Sequence, residues 1–124
     1  MPTKNYETEL LTAWEETYKK GQLSFWMLLS INSQSRYVEE IQESIKELTN
    51  GYIDCEHQSI YRSLRKFHKL EIVDFELKPG QKGPDRKYYF LTNLGKKLLQ
   101  EFTERNINIF YDKKIKNLLK EITS

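Results

Sequence analysis

One short segment of this chain departs from helical patterning, and it limits the fold more than any other feature. Residues 71–77, EIVDFEL, alternate, with Val73, Phe75 and Leu77 on one side and Asp74 and Glu76 on the other. That is the period-two signature of a half-buried strand. KPGQKGP follows, a concentration of turn residues. RKYYFL at 86–91 reads as a second strand, with Tyr88 and Phe90 on one side and Tyr89 and Leu91 on the other. The spacing predicts a β-hairpin over 71–91 with a loop longer than a tight turn.

Helical patterns flank the hairpin. In 7–20, ETELLTAWEETYKK, the residues Leu10, Leu11, Trp14 and Tyr18 recur at helical spacing, acids come early and lysines late. Gly21 is placed to end that helix in a left-handed conformation. LSFWMLLSI at 23–31 reads as a buried second helix, since it is far shorter than the ~20 residues of a membrane span. Ser33 or Ser35 is placed to cap a helix over 36–49, with Val38, Ile41, Ile45 and Leu48 on one face and TNG as its stop. Asp54 is placed to cap a further helix that runs to about Leu70, with Glu56 in its first turn. Thr92 is placed to cap a last, long helix carrying Leu94, Leu98, Leu99, Phe102, Ile109, Ile115, Leu118, Leu119 and Ile122. RNINIFYDK at 105–113 is poor in strong helix formers and is where that helix would kink or break.

The expected fold is therefore mainly α with a β-hairpin. It is a winged helix-turn-helix with an added N-terminal helix and a long C-terminal helix. The expected division is an N-terminal dimerisation helix over 1–21, the winged domain over 22–91 and a C-terminal dimerisation helix over 92–124. The start, MPTKNYETELL, lacks the pattern of a signal peptide. Cys55 is the sole cysteine, so no intramolecular disulfide can form and a reducing cytoplasm is expected.

Net charge is +2, unevenly spread. Residues 1–55 hold five Lys/Arg against nine Asp/Glu, 56–91 eight against five, and 92–124 seven against four. The basic second half points to an anionic partner. Its sharpest expression is CEHQSIYRSLRKFHK, 55–69. At about 100° per residue with Ile60 at the origin, Leu64 falls at about 40° and Phe67 at about 340°, an apolar stripe. Arg65, Gln58, Lys69, Arg62 and Lys66 fall between about 140° and 240°, and no acid joins them. A helix lying in the major groove needs this division, with Arg, Lys and Gln toward phosphates and base edges. A solvated basic face gives the same pattern, and the hairpin that follows is what favours DNA. Lys78, Lys82, Arg86 and Lys87 flank or occupy the hairpin tip, where a wing would meet the DNA backbone.

The residues also carry a resemblance. SIYRSLRKF at 59–67 followed by RKYYFLTNLGKKLL at 86–99 resembles the PadR-like transcriptional regulators over about residues 22–102. Ser59-Ile60-Tyr61 and Arg86-Lys87-Tyr88-Tyr89-Phe90-Leu91-Thr92-Asn93-Leu94-Gly95 match the family pattern, and RYVEEI at 36–41 is similar to its second helix. The resemblance implies a dimeric bacterial winged-helix repressor that binds double-stranded DNA at a palindromic operator. Gln58, Ser59, Arg62, Arg65 and Lys66 would read or flank the major groove. Tyr37 and Tyr61 would touch phosphates or support the helix, and Lys82, Arg86 and Lys87 would hold the backbone through the wing. Three positions depart from the pattern. Val38 stands where Gly is frequent. Asp85 lies beside Arg86. Glu71 stands where Gly usually ends the recognition helix, so that corner must turn without a residue suited to positive φ. With the low net charge, these departures leave open a winged-helix protein-interaction module that binds no DNA.

Other chemistry has little support. Cys55, His57 and His68 are too few and wrongly spaced for a zinc set. There is no phosphate-binding Gly-rich loop and no nucleophile elbow. No enzyme activity and no cofactor are expected. The resemblance implies a dimer-centre cavity for a small planar effector, lined by Trp14, Phe25, Trp26 and Phe102, but the same aromatics read first as core or dimer packing. The apolar surplus of 7–20 and 92–122, including Leu10, Trp14, Leu98, Phe102 and Leu118, exceeds what one small core can cover. Pairing it across a two-fold axis would place two recognition helices ~34 Å apart.

Overall fold

The structure is a computed structural model and describes residues 4–123; residues 1–3 and 124, the outer edges of the two flanking segments, lie outside the described residues. The chain runs α1 (Lys4–Ser30), α2 (Val38–Leu48), α3 (His57–Lys69), β1 (Val73–Lys78), β2 (Arg86–Leu91), α4 (Asn93–Asn106), a 3-10 turn (Asn108–Tyr111) and α5 (Lys113–Thr123). The strands pair antiparallel in register from Val73↔Leu91 to Lys78↔Arg86. Arg36 adds a one-residue bridge to Tyr89, exchanging both backbone hydrogen bonds at 3.0 and 2.9 Å. This is the winged helix-turn-helix that the hairpin implied.

The core joins Met27 of α1 and Ile31 just past its end, Val38, Ile41 and Ile45 of α2, and Ile60 and Leu64 of α3. Val73, Tyr89 and Leu91 of the wing and Leu99 of α4 complete it with Ile53. Tyr89 and Leu91 are the core side of β2, while Tyr88 and Phe90 are half-buried. The helical stripe of Ile60, Leu64 and Phe67 faces inward as the angles require, with Phe67 at its edge.

Several local expectations are corrected. Gly21 does not end a helix; α1 continues through it to Ser30. Lys19, Lys20, Gln22 and Leu23 are good helix formers, and burial of Met27 and Ile31 outweighs the roughly 1 kcal/mol that a mid-helix Gly costs. Ser33 and Ser35 do not cap α2; Tyr37 occupies the N-cap and its N–H donates to Glu40 Oε1 at 3.3 Å. Asp54 does not cap α3 but pairs with Lys46 at 3.7 Å, and Glu56 takes the N-cap position. Leu48 and Leu77 are exposed although their spacing put them on inward faces. Each lies at the end of its element, beyond the reach of the core. The C-terminal helix is broken at 107–112, where Ile107, Asn108, Phe110 and Tyr111 are weak helix formers. Asp112 then restarts the chain as α5, its Oδ1 accepting from the Lys114 N–H at 2.9 Å. Thr92 does cap α4, its Oγ1 accepting from the Gly95 N–H at 3.0 Å.

Glu71 takes the expected left-handed turn without glycine, at φ 61°. The Ile72 N–H reaches the Phe67 carbonyl at 2.9 Å and the Glu71 N–H reaches that of His68 at 3.0 Å. This paired closure satisfies the carbonyls that the helix end leaves open. The end of α2 closes in the same way through Asn50, at φ 52°, and Gly51.

Candidate nucleic-acid interface

The outer face of α3 presents Gln58, Arg62, Arg65, Lys66 and Lys69 to solvent, with Ser59 half-buried behind them and Tyr61 exposed. Its position is set from below by Ile60 and Leu64 and from its N-terminus by Gln42 of α2. Gln42 Nε2 donates to the Cys55 carbonyl at 2.7 Å, and its Oε1 meets His57 Nε2 at 2.7 Å. His57 and Cys55 thus belong to the joint between the two helices of the helix-turn-helix. Burial pushes the Cys55 thiol up from its ordinary pKa, which keeps it protonated and weakly nucleophilic near neutrality. Among the described residues no group of three or more His, Cys, Asp or Glu could hold a metal ion.

Between α3, the start of α2 and the wing lies an open cleft of about 700 Å³. Tyr37, Tyr61 and Arg65 form one wall, and the wing loop with Lys82, Arg86 and Lys87 forms the other. The structure therefore brings Arg65 of α3 and the wing cations together around one groove, while Gln58, Arg62, Lys66 and Lys69 lie outside its lining. Glu39 and Asp85 line it too, so its field is positive but diluted.

Aromatic stacking fixes the wing's cations. Arg86 and Lys87 are adjacent in sequence but leave opposite faces of the strand. The Arg86 guanidinium lies 4.4 Å from the centre of the Tyr37 ring. Tyr37 meets Tyr88 edge-on at 5.3 Å, and the Lys78 ammonium lies 4.6 Å over Tyr88. On the other face Lys87 covers Phe75 at 4.7 Å, and Phe75 in turn packs between His68 of α3 and Tyr89. Cation–π contacts of this kind hold long side chains near one orientation. Burial raises the Tyr89 pKa, so this ring anchors the wing as a neutral phenol. Sequence reasoning placed Tyr37 at the interface but missed its stacking on Arg86. It also missed Gln42 and Arg36, and it named Lys78 at the wing tip without its place over Tyr88. Arg36 Nε donates to the Ser30 carbonyl at 2.6 Å and so ties the end of α1 to the sheet. No local pattern marks these contacts, because the partners lie elsewhere in the chain or across the sheet.

The proposed effector aromatics divide. Phe25 stacks on Phe102 at 5.8 Å and meets Trp26 at 5.7 Å. Phe25, Leu28, Phe67, Leu98 and Phe102 line an apolar cavity of about 200 Å³ between α1, α3 and α4. Trp26 donates its indole N–H to Gln22 at 2.9 Å. Trp14 lies twelve residues earlier on α1, about 18 Å along the helix. It sits among Leu11, Glu15 and Tyr18, so one protomer does not bring it to the Phe25 cluster.

The family model of the transcriptional regulator PadR-like family matches residues 27–101. A PadR-like transcriptional regulator from Bacillus cereus is 29% identical, covering 81% of this chain and 93% of its own, with a TM-score of 0.65. A PadR family regulator from Eggerthella lenta shares the fold at a TM-score of 0.71 and 21% identity, over 90% of this chain and 95% of its own. Bacillus subtilis PadR, solved in complex with operator DNA, shares it at 0.59 and 22%, over 64% of this chain and 45% of its own. An uncharacterized protein of Lysinibacillus sphaericus is 29% identical over 85 residues, 68% of this chain and 78% of that protein. The match spans the helix-turn-helix, the wing and the start of α4, the parts whose geometry builds the basic cleft, and the chain belongs to the PadR-like family of transcriptional regulators.

Proposed function

We propose that the protein is a dimeric, sequence-specific DNA-binding repressor. The observation that carries this reading is the exposed basic face of α3 beside a cleft whose far wall is the cationic wing. Gln58, Ser59, Arg62 and Arg65 approach base edges, Lys66 and Tyr61 the adjoining phosphates. Lys82, Arg86 and Lys87 grip the backbone along the wing, with Tyr37 holding Arg86. The test is Arg62→Ala with Arg65→Ala, measured by anisotropy on duplex DNA across a salt series. Both side chains are exposed, so the fold survives. Affinity falls at least tenfold, and the salt slope flattens by about one ion per lost phosphate contact. Unchanged affinity with normal circular dichroism would remove α3 from the interface. Glu39 and Asp85 in the cleft favour the rival reading, a winged-helix module for protein partners, and salt-insensitive or absent binding to random duplex would select it.

The dimer reading rests on apolar surface that the chain leaves uncovered. Leu10, Leu11, Trp14 and Tyr18 of α1 are exposed, with Trp14 at 73%, and α5 buries none of its residues. Glu7, Glu9, Glu15 and Glu16 of α1 complement Lys113, Lys114, Lys116 and Lys120 of α5. Pairing the two across a two-fold axis matches charge and covers Leu118 and Trp14 together. The division into dimerisation segments at 1–21 and 92–124 around a DNA-binding unit at 22–91 follows from this reading, and the operator would be palindromic. A small aromatic effector fits the apolar cavity at Phe25 and Phe102 beside α3. Among the described residues no helix is long and apolar enough to cross a membrane, and the lone Cys55 suits a reducing cytoplasm.

A further inference from the structure

We infer that the junction of Glu71, Ile72, Thr92 and Gly95 is a positioning device that sets the separation of the two DNA half-sites; the inference rests on the dimeric DNA-binding reading above. Thr92 Oγ1 donates to the Glu71 carbonyl at 2.7 Å and lies 3.1 Å from the Ile72 carbonyl, which also accepts from the Thr92 N–H at 3.1 Å. The same Oγ1 accepts from the Gly95 N–H. Glu71 and Ile72 are in turn bonded to the last carbonyls of α3. A continuous set of hydrogen bonds thus welds the C-terminal end of the recognition helix to the first turn of α4.

Gly95 makes the weld close. A Cβ at that position would collide with the Ile72 carbonyl oxygen, so any side chain pushes α4 away from the corner. α4 then runs fourteen residues, about 21 Å, toward the 3-10 turn and α5, whose apolar side chains are exposed. α4 is therefore the rod between the surface that pairs two copies and the helix that reads DNA. A tilt of about 5° at one end of such a rod moves the other by about 2 Å. Two-fold symmetry doubles that to about 4 Å, close to one base-pair step of ~3.4 Å. The corner is held under strain at Glu71 rather than relaxed by glycine, so its shape is imposed by these bonds.

The experiment selects bound sequences from a random duplex pool with the full chain and with Gly95→Ala, and compares half-site sequence and centre-to-centre distance. The expected result is the same half-site, because the basic face of α3 is untouched, at a distance changed by one base pair or more. Thr92→Val and Thr92→Ser form a second pair. Ser keeps the hydroxyl and the original distance, whereas Val loses it and shifts or broadens the distance; this pair decides if Gly95→Ala does not fold by circular dichroism. Folded, dimeric variants that select the same half-sites at the same distance would overturn the inference alone. If the unaltered chain selects no paired half-sites, the dimeric DNA-binding reading falls and the junction falls with it.

Discussion

The middle of the chain and its two ends follow opposite rules of burial. From Met27 to Leu99 every helix and both strands contribute side chains to one core, and Met27, Ile41, Ile45, Ile60 and Leu64 are fully buried. The first half of α1 and all of α5 also carry apolar residues at helical spacing, yet Trp14 and Ile122 stand 73% and 77% exposed. Amphipathicity shows that a helix has a face to cover. It does not show whether the cover comes from the same chain. Here the middle meets its own need, and the apolar rows at the ends stay uncovered within the chain.

The largest effect expected is on the middle. Ile45→Ala removes a fully buried core side chain, and should cost about 2–5 kcal/mol in urea denaturation. A loss under about 1 kcal/mol would mean that the core is looser than its burial indicates. Next comes the ends. Leu118→Asp with Trp14→Ala should convert a dimer to monomers by sedimentation at micromolar concentration, while helical circular dichroism and a cooperative transition persist. An intact chain that already sediments as a monomer would break the contrast between middle and ends.

Smaller effects sharpen it. Glu71→Gly should stabilise the chain by about 1 kcal/mol, since it relieves a left-handed non-glycine residue whose side chain is exposed. Asn50→Gly, at the equivalent turn after α2, should change stability by only a few tenths of a kcal/mol, because Asn tolerates that conformation. Equal effects at the two corners would show that Glu71 has a compensating partner. Gly21→Ala has the least localised effect. A Cβ there meets nothing within 4 Å, so helix propensity alone should add about 0.5–1 kcal/mol in thermal melts.

The elements that were legible beforehand have their causes close in sequence. The α3 stripe of Ile60, Leu64 and Phe67, the β1 alternation and the Thr92 cap each depend on neighbours within a few residues. The same locality explains the errors. Gly21 looked like a stop because its own preference was visible and the burial of Met27, six residues on, was not. Ser33 and Ser35 had the right chemistry for a cap. The bridge from Arg36 to Tyr89 holds the chain extended up to Tyr37, which delays the helix. At the interface, the cations of α3 were readable as one face. That the wing's Arg86 rests on Tyr37, forty-nine positions earlier, was not.

By itself, then, the sequence determined the winged-helix order, the basic face of α3 and the positive-φ demand at Glu71, because these follow from periodicity and backbone sterics within a few residues. Only the tertiary structure decided that α1 is one helix, that the C-terminal helix breaks at 107–112, and which amphipathic faces are covered. It also decided that Arg65 of α3 and the wing cations share one cleft. Those outcomes are balances between weak local preferences of about 1 kcal/mol and burial terms of several. The burial terms depend on side chains far apart in the chain, which no local window contains.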